Sequence, residues 1–185
     1  MSYEEKIAEC TRKIQLNPND VNAYFHRGSS YNMLGQYERA IPDLNKAIDK
    51  AIQLIPNDES LYKLYMERGI SFYGSGKYAR AIEDCTTVIQ LNPNYSLAYT
   101  WRGICNLNLK NYSSDTIIDL DTAIRLDPNS SLAYTGRGRF YEELSQYKMA
   151  LHDYMIACQL NPSDATYERR DRMYKKLEEL GEFYL

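Results

Sequence analysis

One sequence element recurs four times along the chain, and this repetition constrains the fold more than any other feature. An Arg-Gly pair returns at intervals of 41, 34 and 35 residues, with a Tyr four positions before each Gly. The four glycines are Gly28, Gly69, Gly103 and Gly138. In each copy a second Tyr opens a further segment, and these segments end at Pro56, Pro93, Pro128 and Pro162. The chain is therefore predicted to contain four copies of one two-segment unit.

Both segments of the repeat have the periodicity of an amphipathic helix. The second segment carries apolar residues at positions i, i+3 and i+7, as in Ile41, Leu44 and Ile48. This spacing places them on one face of a helix. The Gly of the first segment lets two helix backbones approach closely, and the Pro after the second segment ends that helix. Each repeat is therefore predicted to be a first helix and a second helix.

This pattern resembles the tetratricopeptide repeat family, whose unit is a helix–turn–helix with aromatic, small and Pro residues at fixed places. The resemblance implies an all-α fold, a right-handed helical-repeat solenoid of antiparallel helix pairs, over residues 1–185 as a single domain. Its predicted parts are a half-repeat helix at 3–18, four repeats at 21–56, 62–93, 96–128 and 131–162, and a C-terminal capping helix at 165–181.

Composition argues against several classes of function. The chain has 22 basic and 25 acidic residues and a formal net charge of −3, so we expect no nucleic-acid partner. No apolar run is long enough to span a membrane and no secretory leader is visible, so we expect a cytoplasmic protein without membrane contact. The four Cys and two His lack metal-ligand spacing, and the glycines occur singly. We therefore expect no metal, no cofactor, no catalytic residue and no enzymatic activity.

In solenoids of this family the first helices line a concave groove, so the resemblance implies a binding surface there. Trp101 is the predicted anchor of this surface, because Tyr99 already occupies the core position of the same helix. Packing of Trp101 on the neighbouring first helix is the alternative. The predicted peptide-binding groove residues are Phe25, His26, Ser29, Met66, Glu67, Ile70, Tyr73, Leu97, Trp101, Ile104, Leu107 and Arg139.

The carboxylate clamp known in this family, in which Lys, Asn and Arg hold the C-terminal acid of heat-shock chaperones, is not matched. Phe25 and Ser29 stand at the first two clamp positions, and Glu67 stands at the third. Leu97 and Trp101 stand at the last two. We therefore expect a groove that is not a clamp-type chaperone adaptor and that binds mainly through apolar contacts.

Each Arg of the Arg-Gly pairs is followed 16 or 17 residues later by an Asp. Because the Arg lies on the first helix and the Asp on the second, one structural ion pair per repeat is predicted, partly buried and bridging adjacent layers. The predicted pairs are Arg27 with Asp43, Arg68 with Asp84, Arg102 with Asp119, and Arg137 with Asp153.

These expectations favour a non-catalytic protein–protein interaction scaffold whose partner is a protein or peptide of unknown identity. Two alternatives stay open: a substrate- or partner-recognition arm of a larger enzyme, and a self-assembling scaffold. Both rest on the half-repeat at 3–18, which lacks a first helix of its own and could contact another copy in a homo-oligomer. An RNA-binding helical repeat is a further alternative that the charge disfavours.

Overall fold

A computed structural model describes residues 1–54 and 60–182, and every regular element within these ranges is an α-helix. The predicted repeat end at Pro56 lies outside the described residues. In chain order the helices are α1 (Tyr3–Leu16), α2 (Val21–Met33), α3 (Tyr37–Leu54), α4 (Leu61–Gly74), α5 (Tyr78–Leu91), α6 (Ser96–Asn108), α7 (Ser114–Leu126), α8 (Ser131–Glu143), α9 (Tyr147–Leu160) and α10 (Asp164–Glu179).

The turn from the first helix to the second has the same geometry in all four repeats. One residue in it has positive φ: Gly35 at 69°, Gly76 at 74°, Lys110 at 57° and Ser145 at 59°. The next backbone N–H donates to the carbonyl five residues earlier, at 2.8 Å to 2.9 Å in the four turns. This bond closes a helix C-terminus. Since it reverses the chain within a few residues, it makes the two helices of a repeat antiparallel neighbours.

Contacts between residues divide the chain into two compact units, an N-terminal unit (Met1–Trp101) and a C-terminal unit (Arg102–Leu185), with the division inside α6. In the N-terminal unit each helix from α1 to α5 packs on the next, and α2 also contacts α4. In the C-terminal unit the helices from α7 to α10 pack consecutively in the same way.

Close helix approach requires glycine at the centre of the first helices α2 and α6. A Cβ on Gly28 would lie 2.8 Å from Cγ of Leu44, and a Cβ on Gly103 would lie 2.8 Å from Cγ of Leu120. Both leucines are fully buried.

The expected all-α solenoid class, built of consecutively packed helix pairs, is confirmed.

Helix α10 packs on α9 in the C-terminal unit. Met173 and Leu177 of α10 are buried, and Met173 packs on Ala150 and Tyr154 of α9. Gly181 has a φ of 68° and follows α10 as a helix-ending residue. The helix expected at 165–181 is therefore present at nearly the predicted limits, with its apolar stripe on α9.

Candidate functional site

Four Arg–Asp pairs join the first and second helices of the repeats. In each pair, Nε and Nη2 of the Arg donate to the two carboxylate oxygens of the Asp, at 2.6–2.9 Å. This bidentate geometry fits the planar guanidinium. All four aspartates are buried. The structure forms the pairs Arg27–Asp43, Arg68–Asp84, Arg102–Asp119 and Arg137–Asp153.

The same arginines also connect neighbouring repeats. Nη1 of Arg27 donates to Oγ1 of Thr11 on α1 at 3.0 Å. In the C-terminal unit, Nη1 of Arg137 donates to Oδ1 of Asp121 on α7 at 2.7 Å. The hydrogen bond to Asp153 raises the pKa of Arg137 above its ordinary value although partial burial opposes the charge. These guanidinium groups are thus occupied by structural contacts rather than available to an anionic ligand.

Trp101 lies on the N-terminal unit in contact with the preceding first helix. Its ring meets that of Tyr73 edge to face, with the ring centroids 4.7 Å apart. Ile70 and Trp101 both pack against the cluster that contains Met66. Trp101 nevertheless stays partly exposed, and its indole N–H makes no hydrogen bond within the described residues. Trp101 therefore packs on the neighbouring first helix, which was the alternative prediction, and part of its ring remains accessible.

The remaining predicted residues of the N-terminal unit differ in their exposure. Phe25 and His26 have ring centroids 5.3 Å apart, with Phe25 partly buried and His26 exposed. Ser29 is partly buried, and Leu97 is 36% exposed. Desolvation, followed by nearby lysine charges, lowers the pKa of His26 and favours the neutral imidazole. We call the surface formed by α2, α4 and the start of α6 the first-helix face.

Glu67 on this face is held in place by two polar residues that the sequence reasoning missed. Nδ2 of Asn32 donates to Oε2 and to the backbone carbonyl of Glu67, both at 3.0 Å. Oγ of Ser71, which is fully buried, donates to Oδ1 of Asn32 at 2.7 Å. No Lys or Arg of the described residues lies within ion-pair distance of Glu67. In the sequence, the only signal for this contact was that Asn32 and Ser71, both polar, stand at helix positions that face the protein interior.

Three predicted groove residues do not lie on an accessible surface, which corrects that part of the expectation. Met66, Ile104 and Leu107 are only 3%, 4% and 3% exposed. Met66 packs with Ala98 on the next first helix, and Leu107 packs with Phe140. The next first helix covers these positions, an effect that single-helix periodicity does not predict.

Arg139 lies in the C-terminal unit, where Nη2 donates to Oδ1 of Asn108 at 3.3 Å. Ile104 and Leu107 belong to the same unit. The first-helix face of the N-terminal unit therefore contains eight accessible or partly accessible members of the predicted set: Phe25, His26, Ser29, Glu67, Ile70, Tyr73, Leu97 and Trp101.

Metal binding by the described residues depends on how their His, Cys, Asp and Glu side chains are grouped, and the cysteines are placed by their burial. They contain no group of three or more His, Cys, Asp or Glu side chains placed to hold a metal ion. All four cysteines are buried, and burial raises the pKa of Cys105 to about 12. Among the helices described, none is long and apolar enough to cross a membrane.

Comparison with known sequences identifies the repeats. A tetratricopeptide repeat profile matches residues 62–95, and a second profile of the same description matches residues 10–41 and 120–152. Together these matches cover more than half of the chain. The chain belongs to the tetratricopeptide repeat family. A search of curated proteins gave no match.

Solved tetratricopeptide repeat structures resemble the chain at low sequence identity. MamA is 21% identical with a TM-score of 0.72, covering 89% of this chain and 92% of its own. YrrB, described as having an unusual peptide-binding site, is 18% identical with a TM-score of 0.69, covering 92% of this chain and 84% of its own. The first repeat domain of Spaghetti (RPAP3), solved with the HSP90 peptide SRMEEVD, is 23% identical with a TM-score of 0.61, covering 65% of this chain and 96% of its own.

Proposed function

We propose that this tetratricopeptide repeat protein is a non-catalytic interaction scaffold whose first-helix face binds a peptide or helix mainly through apolar contacts. The proposal rests on the packing and the partial exposure of Trp101. One edge of its ring system is fixed against Tyr73, while part of the ring and the indole N–H remain available. A large aromatic side chain that is already ordered loses little conformational freedom on binding, and such residues dominate binding energies.

The relatives support the choice of a peptide or protein as partner. RPAP3 was solved with a bound peptide, and YrrB is described by its peptide-binding site. Both share the helix-pair architecture of this chain. The repeat architecture supplies an ordered surface without any chemistry of its own, which suits a scaffold better than a catalyst.

We further propose that the partner is not held by a terminal carboxylate. Phe25, Ser29, Leu97 and Trp101 supply no cationic group at the clamp positions. Glu67, fixed by Asn32, would place a negative charge beside an incoming carboxylate and repel it. The structural arginines are already paired with aspartates, so they do not replace the missing cations.

Apolar recognition on this face has a measurable electrostatic consequence. Exposed ion pairs weaken as salt rises, because mobile ions screen them beyond about 10 Å at moderate ionic strength. Contacts made by Ile70, Tyr73 and Trp101 have no net charge to screen. The affinity of the partner should therefore change little between low and high salt.

The test uses random dodecapeptides displayed on phage and selected on the intact chain. The best peptide is then titrated calorimetrically onto the chain, onto Trp101→Ala and onto Ile118→Ala. Ile118 is 56% exposed on the second helix α7, so its loss controls for the removal of exposed apolar surface elsewhere. Trp101→Ala should weaken binding by about 2 kcal/mol, roughly thirtyfold, and Ile118→Ala should leave it unchanged.

Two results would contradict the proposal. Equal affinity of the selected peptide for the chain and for Trp101→Ala would remove Trp101 from the site. Recovery of no peptide above background would show that the first-helix face does not hold short peptides.

A further inference from the structure

Glu67 is the only acidic residue among the eight accessible or partly accessible residues of the first-helix face. The others are apolar or aromatic, apart from Ser29 and His26. Desolvation, followed by nearby lysine charges, lowers the pKa of His26, so its imidazole is neutral at neutral pH. A ligand that covers these eight residues therefore meets one negative charge and no positive charge.

Buried groups hold the Glu67 carboxylate in place before any ligand binds. Asn32 of α2 is buried, and its Nδ2 donates to Oε2 of Glu67 at 3.0 Å. Oδ1 of Asn32 accepts from Oγ of the buried Ser71 at 2.7 Å, which fixes the orientation of the amide. Within the described part of the chain no donor reaches Oε1 of Glu67. A carboxylate accepts several hydrogen bonds, so Glu67 keeps acceptor capacity for a ligand.

The basic residues closest in sequence do not neutralise Glu67. Lys63 lies one helical turn before it on α4, at the spacing of a helix-surface ion pair. The Lys63 ammonium instead lies 5.9 Å from the centroid of the Tyr62 ring, and it is not within ion-pair distance of Glu67. Arg68 donates two hydrogen bonds to Asp84. The charge of Glu67 is therefore left for a cation from outside these residues.

Aromatic rings lie close to the Glu67 carboxylate. The rings of Tyr62 and Tyr95 meet edge to face with their centroids 5.0 Å apart, and both pack against the cluster that Trp101 also contacts. Burial, followed by the charges of Tyr62 and Glu67, raises the pKa of Tyr95, so the carboxylate is within electrostatic range of this ring. Aromatic rings attract cations, and long basic side chains pack their methylene groups on apolar surface. These surroundings suit a Lys or Arg side chain.

A peptide bound as proposed above would cover Glu67. Glu67 and Ile70 are three residues apart on α4, so they are neighbours on one helix surface. Ile70 and Trp101 pack against the same cluster. A peptide placed on Ile70 and Trp101 would remove the Glu67 carboxylate from water, which costs free energy unless the peptide supplies a positive charge. A segment with a basic residue therefore binds better than a segment without one.

We propose that Glu67 selects a partner segment that has a Lys or Arg beside its apolar residues. The inference rests on the proposed function, because the same face binds those apolar residues. The stem of the basic side chain packs on the aromatic rings, and its charged end binds Oε1 of Glu67. Neutral and acidic segments are rejected, because they leave a covered carboxylate unpaired. Binding remains mainly apolar, since a partly buried pair is screened by salt much less than an exposed one.

Peptide selection tests this preference. Random dodecapeptides selected on the intact chain should be enriched in Lys or Arg, whereas those selected on Glu67→Gln should not. Gln keeps an oxygen that can accept from Asn32, so the substitution removes the charge and retains the contact. Glu83→Gln is the control, because Glu83 is an exposed carboxylate on the second helix α5. It should give the same enrichment as the intact chain.

A double-mutant cycle measures the ion pair itself. The best selected peptide is titrated calorimetrically before and after its basic residue is replaced by Gln. The replacement should weaken binding to the intact chain and to Glu83→Gln by about tenfold, and should change binding to Glu67→Gln by less than about twofold. Circular dichroism verifies that Glu67→Gln is folded. The selection on the intact chain needs no variant, so a lack of basic residues in its peptides overturns the proposal whatever the variant does.

The outcomes distinguish this inference from the proposed function. If Trp101→Ala weakens binding but the cycle shows no coupling, the apolar site stands and selection by Glu67 is overturned. If the cycle shows coupling but Trp101→Ala binds as tightly as the intact chain, the ion pair stands and the apolar site at Trp101 fails. Recovery of no peptide above background overturns both.

Discussion

Replacing one repeat glycine by alanine should destabilise the protein, while the same change at the equivalent position of the next repeat should not. A Cβ on Gly28 would lie 2.8 Å from Cγ and 3.1 Å from Cδ2 of Leu44. A Cβ on Gly69 would lie 3.4 Å from Cβ of Asp84 and 3.8 Å from Sγ of Cys85, which are ordinary contacts. The difference arises because a branched Leu faces one glycine and the smaller Cys faces the other.

Two opposing effects determine whether each Gly→Ala substitution raises or lowers the free energy of unfolding. Alanine favours a helix interior over glycine by about 0.5–1 kcal/mol at either position. Overpacking a buried site costs about 1–3 kcal/mol, and Leu44 is fully buried. Gly28→Ala should therefore lower the free energy of unfolding by about 1 kcal/mol, whereas Gly69→Ala should raise it by up to about 1 kcal/mol.

Urea unfolding followed by far-ultraviolet circular dichroism measures both variants under one set of conditions. The Leu44→Ala background provides the control, because removal of the Leu44 side chain should abolish the penalty of Gly28→Ala. Equal effects of the two glycine substitutions would refute the reasoning. A penalty for Gly28→Ala that persists in the Leu44→Ala background would refute it as well.

Two further predictions concern buried groups. The thiols of Cys10, Cys85, Cys105 and Cys158 should not react with Ellman's reagent at pH 8 in the folded chain and should react fully after unfolding in urea, because all four are buried; rapid reaction of the folded protein would contradict their placement. Truncation after Pro162 should lower the melting temperature by several degrees and expose Tyr154, which is fully buried in the cluster that includes Met173 of α10; an unchanged melting curve would show that α10 contributes nothing to the packing.

Sequence periodicity was sufficient to predict the helices and the structural ion pairs. The Arg-Gly pairs recur in one frame, and each Arg meets the predicted Asp, because a fixed repeat spacing brings the same two positions together every time. The turn from first to second helix was also constrained locally. Gly35 and Gly76 have the positive φ that the turn requires, although Lys110 and Ser145 adopt it at the same place.

The accessible part of the candidate site was harder to predict, because it depends on neighbouring helices. Met66 lies on the same helix as Ile70, yet only Met66 is fully covered by the following first helix. The position of Glu67 depends on Asn32, which is 35 residues away in sequence. Such contacts join different repeats and leave no mark in the periodicity of a single helix.

Fluorescence of Trp101 tests the proposed function most directly, because it is the only Trp in the chain. The selected peptide is titrated onto the intact protein at low and at high salt while the emission maximum is recorded. If the first-helix face holds the peptide by apolar contacts, the emission shifts to the blue and the affinity is nearly the same at both salt concentrations. Binding that leaves the emission unchanged, or that is lost at high salt, would contradict apolar recognition at Trp101.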